Sequence, residues 1–381
     1  MKKKILLIVR RTSAEVDWVL PLLFRLNNKY KILTIFESQK VFDDLKRNKQ
    51  LFQLWNSISK DFYIRHFYDD FLNRTFLYIT DSLDKYFRIN GNKFRKKIKK
   101  KIFINNILMS KFKLNNLDDI KFLFHDWGGF TGWLDAFENL KTKIVYFPHS
   151  ALKYTKMPNH IKNLNGFLMI VGSKTEKKKC ENNFNGKTID TGHFKYSHEW
   201  LKRFKPIKRN NKKIKIVLPM KDWIDSVEKE KLKHILESIF KILMKNSDKI
   251  ILYIKSSRIN YNKNNTFLNS FIKNYKFRYC YCKDSLISLA KSSDLFLVFN
   301  DSSVTYDALS QKTLAVELWN KNPKISTTKD YTFIVNNENE FEKFFFKIKD
   351  DSIKKDFEKK YKLFSKNFLS RINYQKVLKH F

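Results

Sequence analysis

Cysteine is nearly absent from this chain: Cys180, Cys280 and Cys282 are the three in 381 residues. They cannot build a disulfide framework, and no zinc-type Cys/His spacing accompanies them. Cys280 and Cys282 alternate with Tyr279 and Tyr281 in a strand-like run, which makes them packing residues. Long apolar runs are missing too. None approaches the ~20 residues that span a bilayer. The run Ile5–Val9, between Met1-Lys-Lys-Lys and Arg10-Arg11, is shorter than a signal-peptide core. A first buried strand and a cytoplasmic location are expected. Acidic residues are the third deficit: 38 against 77 Lys and Arg leave a formal charge of +39. Such a charge draws a chain towards nucleic acids, anionic membranes and negatively charged substrates. No cluster with metal-ligand spacing is visible, so neither a metal nor another cofactor is expected.

What is present argues for folded structure. Hydrophobic residues make up 43% and aromatics 16% of the chain, and its length accommodates two domains with separate cores. Short apolar runs alternate with helical patterns. Ile5–Val9, Tyr30–Phe36, Ile120–Phe124, Lys143–Phe147, Phe167–Val171 and Lys187–Thr191 read as strands of a first series, with a helix from Glu15 to Asn28. A charged stretch around Pro206 reads as a linker. A second series follows: Ile214–Leu218, Ile250–Ile254, Phe277–Cys282, Leu295–Phe299 and Leu314–Leu318. Strands separated by helices imply parallel sheets wrapped by helices, with ligands beyond the carboxyl ends of the strands.

Residues 294–318 are the most informative. An apolar run (Leu295–Phe299) stops at Asn300, Asp301, Ser302 and Ser303; a helix-compatible stretch and another apolar run follow. Hydroxyls and free backbone N–H groups at such a helix start form an anion site, and Asp301 or Ser302 also suits a helix cap. His149 directly follows a strand, in Pro148-His149-Ser150, where a histidine with a near-neutral pKa suits a general base. His125 and Asp126 sit at another strand end, before Gly128-Gly129. Glu15 and Asp17 are alternative carboxylate bases. Lys221, Lys255 and Arg258 follow strands of the second series and are candidate phosphate-neutralising cations, while Gly192 suits a turn.

These blocks resemble the two-domain (GT-B type) transferases of bacterial surface-polymer synthesis, in particular the CDP-glycerol glycerophosphotransferase and capsule transferase group. Ser302 and Ser303 match a serine pair that holds donor phosphate there, with Asp301 before them and Leu309 on the following helix. His149 matches the histidine of a "p-H-G" pattern assigned as base, although Ser150 replaces the glycine. Gly192-His193-Phe194-Lys195-Tyr196 resembles a "t-G-x-p-k-y-D" element, in which Lys195 would meet a phosphate. Lys255 keeps the lysine of a "K-x-H-P" pattern whose histidine and proline are absent here. The resemblance covers scattered blocks over residues 145–320.

It implies an α/β fold of two Rossmann-like domains facing a central cleft. Residues 1–204 would form the acceptor-side domain, 205–213 the linker and 214–381 the nucleotide-donor domain, with the final helix returning to the first domain. The implied activity is metal-independent transfer of a glycosyl or polyol-phosphate group from a nucleotide-activated donor to a glycan or lipid-linked acceptor, in polysaccharide biosynthesis at the inner membrane face. His149, His125 and Asp126 are the catalytic candidates; Ser302, Ser303, Asp301, Lys221, Lys255, Arg258 and Gly192 are the donor-binding ones. Residues 93–105 carry seven Lys and Arg, with Phe94, Ile98 and Ile102 every four residues. That pattern fits a basic amphipathic helix on an anionic membrane surface, or a solvated helix packed on its domain. Two rivals remain. A nucleotide-sugar 2-epimerase uses the same fold but needs carboxylates around the sugar, and the sequence offers no evident acidic constellation. A basic nucleic-acid-binding protein would suit the charge, yet no nucleic-acid module is recognisable and no specific nucleic acid is expected.

Overall fold

The computed structural model describes residues 2–10, 13–65, 107–126, 141–148, 164–207, 213–220, 226–256, 261–275, 278–299, 302–318 and 328–381, with residues 75, 78, 79, 82, 86, 134 and 137 besides. The basic segment 93–105 lies outside them. The chain forms two compact units. The first comprises Met1–Lys46, Leu51–Lys195 and Asn373–Phe381; the second comprises Arg47–Gln50 and Tyr196–Ile372.

In the first unit, strands β1 (Lys4–Val9), β2 (Lys31–Phe36), β3 (Asp61–Ile64), β4 (Ile120–Asp126), β5 (Lys143–Phe147), β6 (Leu164–Val171) and β7 (Phe184–Asp190) form one parallel sheet. Its order is β3-β2-β1-β4-β5-β6-β7. β3 escapes a sequence reading because four residues, Asp-Phe-Tyr-Ile, carry too short a period to register. The helix Ser13–Leu26 connects β1 to β2 and tolerates Pro21 within it. Residues 373–381 belong to this unit: the Asn373 N–H donates to the Thr191 carbonyl (2.8 Å), and the Phe381 ring packs on Phe122 and Phe124.

The second unit repeats the plan with β8 (Ile214–Pro219), β9 (Ile250–Lys255), β10 (Tyr279–Tyr281), β11 (Leu295–Phe299), β12 (Leu314–Leu318) and β13 (Phe333–Val335), ordered β10-β9-β8-β11-β12-β13. Counted from its own first strand, this is the 3-2-1-4-5-6 order of the Rossmann sheet, and the first unit has the same order extended by one strand. Period-two alternation explains the near-continuous apolar strands. Ile216 and Leu218, Leu295, Leu297 and Phe299, and Leu314, Val316 and Leu318 point into one core, which the helices Ser226–Lys245, Tyr261–Ile272 and Glu338–Phe346 cover. Val217, Phe296, Val298 and Ala315 point the other way, onto Leu289, Ala290 and Ala308. A parallel sheet covered on both faces has no polar face to keep.

The units divide at Lys195/Tyr196, nine residues before the linker read from the sequence. The physical reason lies in Tyr196–Ile207. The half-buried Lys291 donates from Nζ to the carbonyls of Leu201 (2.6 Å) and Phe204 (2.8 Å), and the Ile207 N–H donates to Ser292 Oγ (2.7 Å). These bonds hold the segment on the second unit. Among the described residues, no helix is long and apolar enough to cross a membrane.

Candidate functional site

In a doubly wound sheet a crevice opens where neighbouring strands send their connections to opposite faces. In the second unit that point lies between β8 and β11. The register of the two strands runs through Ile216/Leu295 and Val217/Phe296. β11 leads to Ser302 and Ser303 and the helix Val304–Ser310. The helix start is partly self-satisfied: the Thr305 N–H donates to the Ser302 carbonyl (3.0 Å) and the Tyr306 N–H to the Ser303 carbonyl (3.1 Å). This narrows the expected anion site, because those two N–H groups are already used. The Val304 N–H meets Ser302 Oγ only at 3.5 Å. The Ser303 hydroxyl makes no capping bond to the helix.

One turn further on, Thr305 is fully buried, and its Oγ1 has no hydrogen-bond partner among the described residues. A buried unpaired hydroxyl costs about 1–3 kcal/mol. Sequence reading passed over Thr305, because a threonine inside a helix carries no pattern signal. Lys255 ends β9, where its carbonyl accepts from the Met220 N–H (2.8 Å). Cys282 lies beside this edge, its N–H donating to the Ile254 carbonyl (2.9 Å). Burial pushes its thiol up to about 12, and its Sγ donates to Asp284 Oδ2. His149, Lys221, Arg258 and Asp301 lie outside the described residues.

In the first unit, His125 and Asp126 are fully buried on β4, and the His125 Nδ1–H donates to the Asp126 carbonyl (2.6 Å). Gly192, just after β7, has a φ of 72°, the left-handed conformation that favours glycine. It belongs to the first unit, whereas Ser302, Ser303 and Lys255 belong to the second.

The loop after β7 carries a feature the sequence did not reveal. The Lys195 ammonium pairs with Asp17 (3.1 Å) and lies over the Trp18 ring; the Trp18 ring meets the His193 ring edge-on (4.7 Å), and His193 Nε2 lies 3.5 Å from Glu176. Glu176 also accepts from the Gly172 N–H, and Glu15 accepts from the Arg10 N–H (2.6 Å). All five titratable side chains, Glu15, Asp17, Glu176, His193 and Lys195, are buried. Asp17 and Glu176 are thus linked through Lys195, Trp18 and His193, and Glu15 is buried in the same unit. Lys195 balances Asp17 instead of standing free for a phosphate. Ser173-x-x-Glu176, a capping-box pattern, was the available signal for Glu176: Ser173 Oγ caps the helix Lys174–Glu181 through the Glu176 N–H. Among the described residues, no group of three or more His, Cys, Asp or Glu converges as a metal would require.

No protein-family model matches the sequence, and no curated protein matches it. Solved structures do match in fold. The UDP-GlcNAc 2-epimerase of Neisseria meningitidis, bound to UDP-GlcNAc, aligns with a TM-score of 0.56 over 99% of this chain and 98% of its own, at 13% identity. The Methanocaldococcus jannaschii UDP-GlcNAc 2-epimerase, in complex with UDP-GlcNAc and UDP, gives 0.56 over 99% of both chains at 14% identity. A Rickettsia africae glycosyltransferase gives 0.53 over 100% and 97% at 14% identity. With its two Rossmann-type sheets, this chain has the two-domain α/β fold of the GT-B class.

Proposed function

We propose that the chain is a transferase that moves a glycosyl or polyol-phosphate group from a nucleotide-activated donor to an acceptor hydroxyl, on a glycan or lipid-linked acceptor of surface-polysaccharide assembly. The observation that carries this reading is the Ser302–Ser303 turn beside the β8/β11 switch point, with the Ser303 hydroxyl left out of helix capping. As the acceptor oxygen bonds to the transferred carbon or phosphorus, the bond to the nucleotide's phosphate breaks and negative charge builds on the departing group. Ser302 and Ser303 hydroxyls, with the Lys255, Lys221 and Arg258 cations, would stabilise that charge. His149 would take the acceptor's proton.

A thermal-shift panel of CDP, CMP, UDP, GDP and their conjugates tests the reading, because a ligand of the native state raises its stability. A selective shift lost in Ser302→Ala/Ser303→Ala supports it. Equal shifts with any polyanion refute it. His149→Ala should abolish turnover while leaving nucleotide binding intact.

A second reading, a nucleotide-sugar 2-epimerase, is favoured by the buried Glu15, Asp17 and Glu176 and by the fold neighbours that are epimerases. Product analysis in deuterated water separates the two. An epimerase incorporates solvent deuterium at the inverted carbon with no acceptor present; a transferase releases nucleotide only when an acceptor is supplied.

A further inference from the structure

The second unit carries a cavity of about 470 Å3 at the amino ends of its strands, the edge opposite Ser302 and Ser303. Ile214 opens β8 and Leu314 opens β12, so one strand length, roughly 17–20 Å, separates cavity from crevice. The lining has two chemistries. Ile214, Leu314, Ile348, Ile353 and Phe357 form an apolar wall. Apart from Leu314 these side chains are only half-buried, so the wall keeps apolar surface uncovered. Lys213, Lys312, Lys349 and Lys354 supply cations around it.

Internal ion pairs use only part of that charge. Lys312 pairs with Glu358 (2.7 Å) and Lys354 with Asp351 (3.0 Å). Lys213 and Lys349 have no carboxylate partner among the described residues. The acidic lining residue, Asp294, spends Oδ2 on the Lys215 N–H (2.8 Å). Lys312 also sits at φ 56° in the turn after the helix Val304–Ser310, where its N–H donates to the Leu309 carbonyl. Glycine or asparagine holds such a turn at lower cost, so a lysine there puts a charge at the cavity against the backbone's preference.

We propose that this cavity binds an anionic amphiphile, with a phosphate or carboxylate head on Lys213 and Lys349 and an alkyl chain along Ile348, Ile353 and Phe357. The head could belong to a soluble acyl or alkyl phosphate or to a membrane lipid. The site is independent of the nucleotide reading, since it uses the opposite edge of the sheet.

Calorimetric titration with dodecyl phosphate, kept monomeric and at fixed ionic strength, provides the test. Saturable one-to-one binding is expected, with inorganic phosphate at least about ten-fold weaker, because it offers nothing to the apolar wall. Lys213→Glu/Lys349→Glu should weaken dodecyl phosphate about ten-fold or more, since each charge-assisted contact becomes repulsive. The half-exposed Ile353→Gln variant should weaken it without changing net charge. Lys233→Glu/Lys241→Glu, on exposed lysines of the helix Ser226–Lys245, alters net charge equally and should leave binding within about two-fold. Co-sedimentation with phosphatidylglycerol vesicles separates the sources. A loss specific to Lys213→Glu/Lys349→Glu assigns a lipid head; binding of dodecyl phosphate with no such vesicle effect assigns a soluble amphiphile. Equal weakening by both lysine pairs, or inorganic phosphate binding as tightly as dodecyl phosphate, would overturn the proposal.

Discussion

Replacing Gly172 by alanine should be among the most damaging single-methyl additions in the first unit. A Cβ at this position would fall 1.9, 2.0 and 2.4 Å from three atoms of the His193 ring, far inside van der Waals contact. The ring has little room to retreat, since it meets Trp18 edge-on at 4.7 Å and Glu176 at 3.5 Å and is itself buried. Overpacking of this kind costs about 1–3 kcal/mol. Moving the ring also weakens its contact with Glu176, which puts the change near the top of that range. At roughly 2–4 °C per kcal/mol for a domain of 150–250 residues, Tm should fall by about 6–12 °C.

The assay is equilibrium denaturation by far-UV circular dichroism, run as a double-mutant cycle with His193→Ala. Once the ring is gone the three nearest atoms go with it, and Gly172 has no left-handed φ to lose. The alanine should then be neutral or stabilise by about 0.4–1 kcal/mol, through lower chain entropy in the unfolded state. A large coupling energy is therefore expected. An equal cost in both backgrounds would refute the claim that His193 fills the place of a side chain at Gly172.

Three further outcomes are expected. Lys195→Met should destabilise the first unit by about 3–5 kcal/mol, because it removes the cation paired with the buried Asp17 carboxylate; adding Asp17→Leu should recover much of this, and a double variant as unstable as the single one would count against the pair. Desolvation lowers the pKa of Lys291 below 10.5. The unfolded chain then binds more protons between that lowered value and 10.5, so this group's contribution to stability grows as pH rises through the window; Lys291→Met should remove that slope in alkaline denaturation and cost about 1–2 kcal/mol in lost bonds to Leu201 and Phe204, and an unchanged slope would contradict the assignment. Burial pushes the Cys180 and Cys282 thiols up to about 12, so iodoacetamide at pH 8.5 should leave both unmodified until the chain unfolds; mass spectrometry showing rapid native labelling would contradict their burial.

Much of the fold was legible in local sequence. The apolar runs of β1, β2, β4, β5, β8, β9, β11 and β12 each fall where the sequence puts a strand, because a strand covered on both faces must be apolar nearly throughout. β3 and β13 did not register: four and three residues are too few to distinguish from a loop. The Ser302–Ser303 turn was legible for the same local reason, as an apolar run ending at small polar residues.

What the sequence by itself determined, then, was the alternation of strand and helix, the two-sheet α/β class and the strand ends at which polar side chains gather. Each is encoded within a few neighbouring residues. The tertiary structure decided the rest. Strand order follows from crossover connections and not from any one run. The unit boundary follows from where Lys291 meets Leu201 and Phe204. The buried charged group joins Asp17 to Lys195, which are 178 positions apart, and no local pattern marks either as the other's partner. Such contacts form because a buried charge must find its opposite in three dimensions, and sequence order does not record which one it finds.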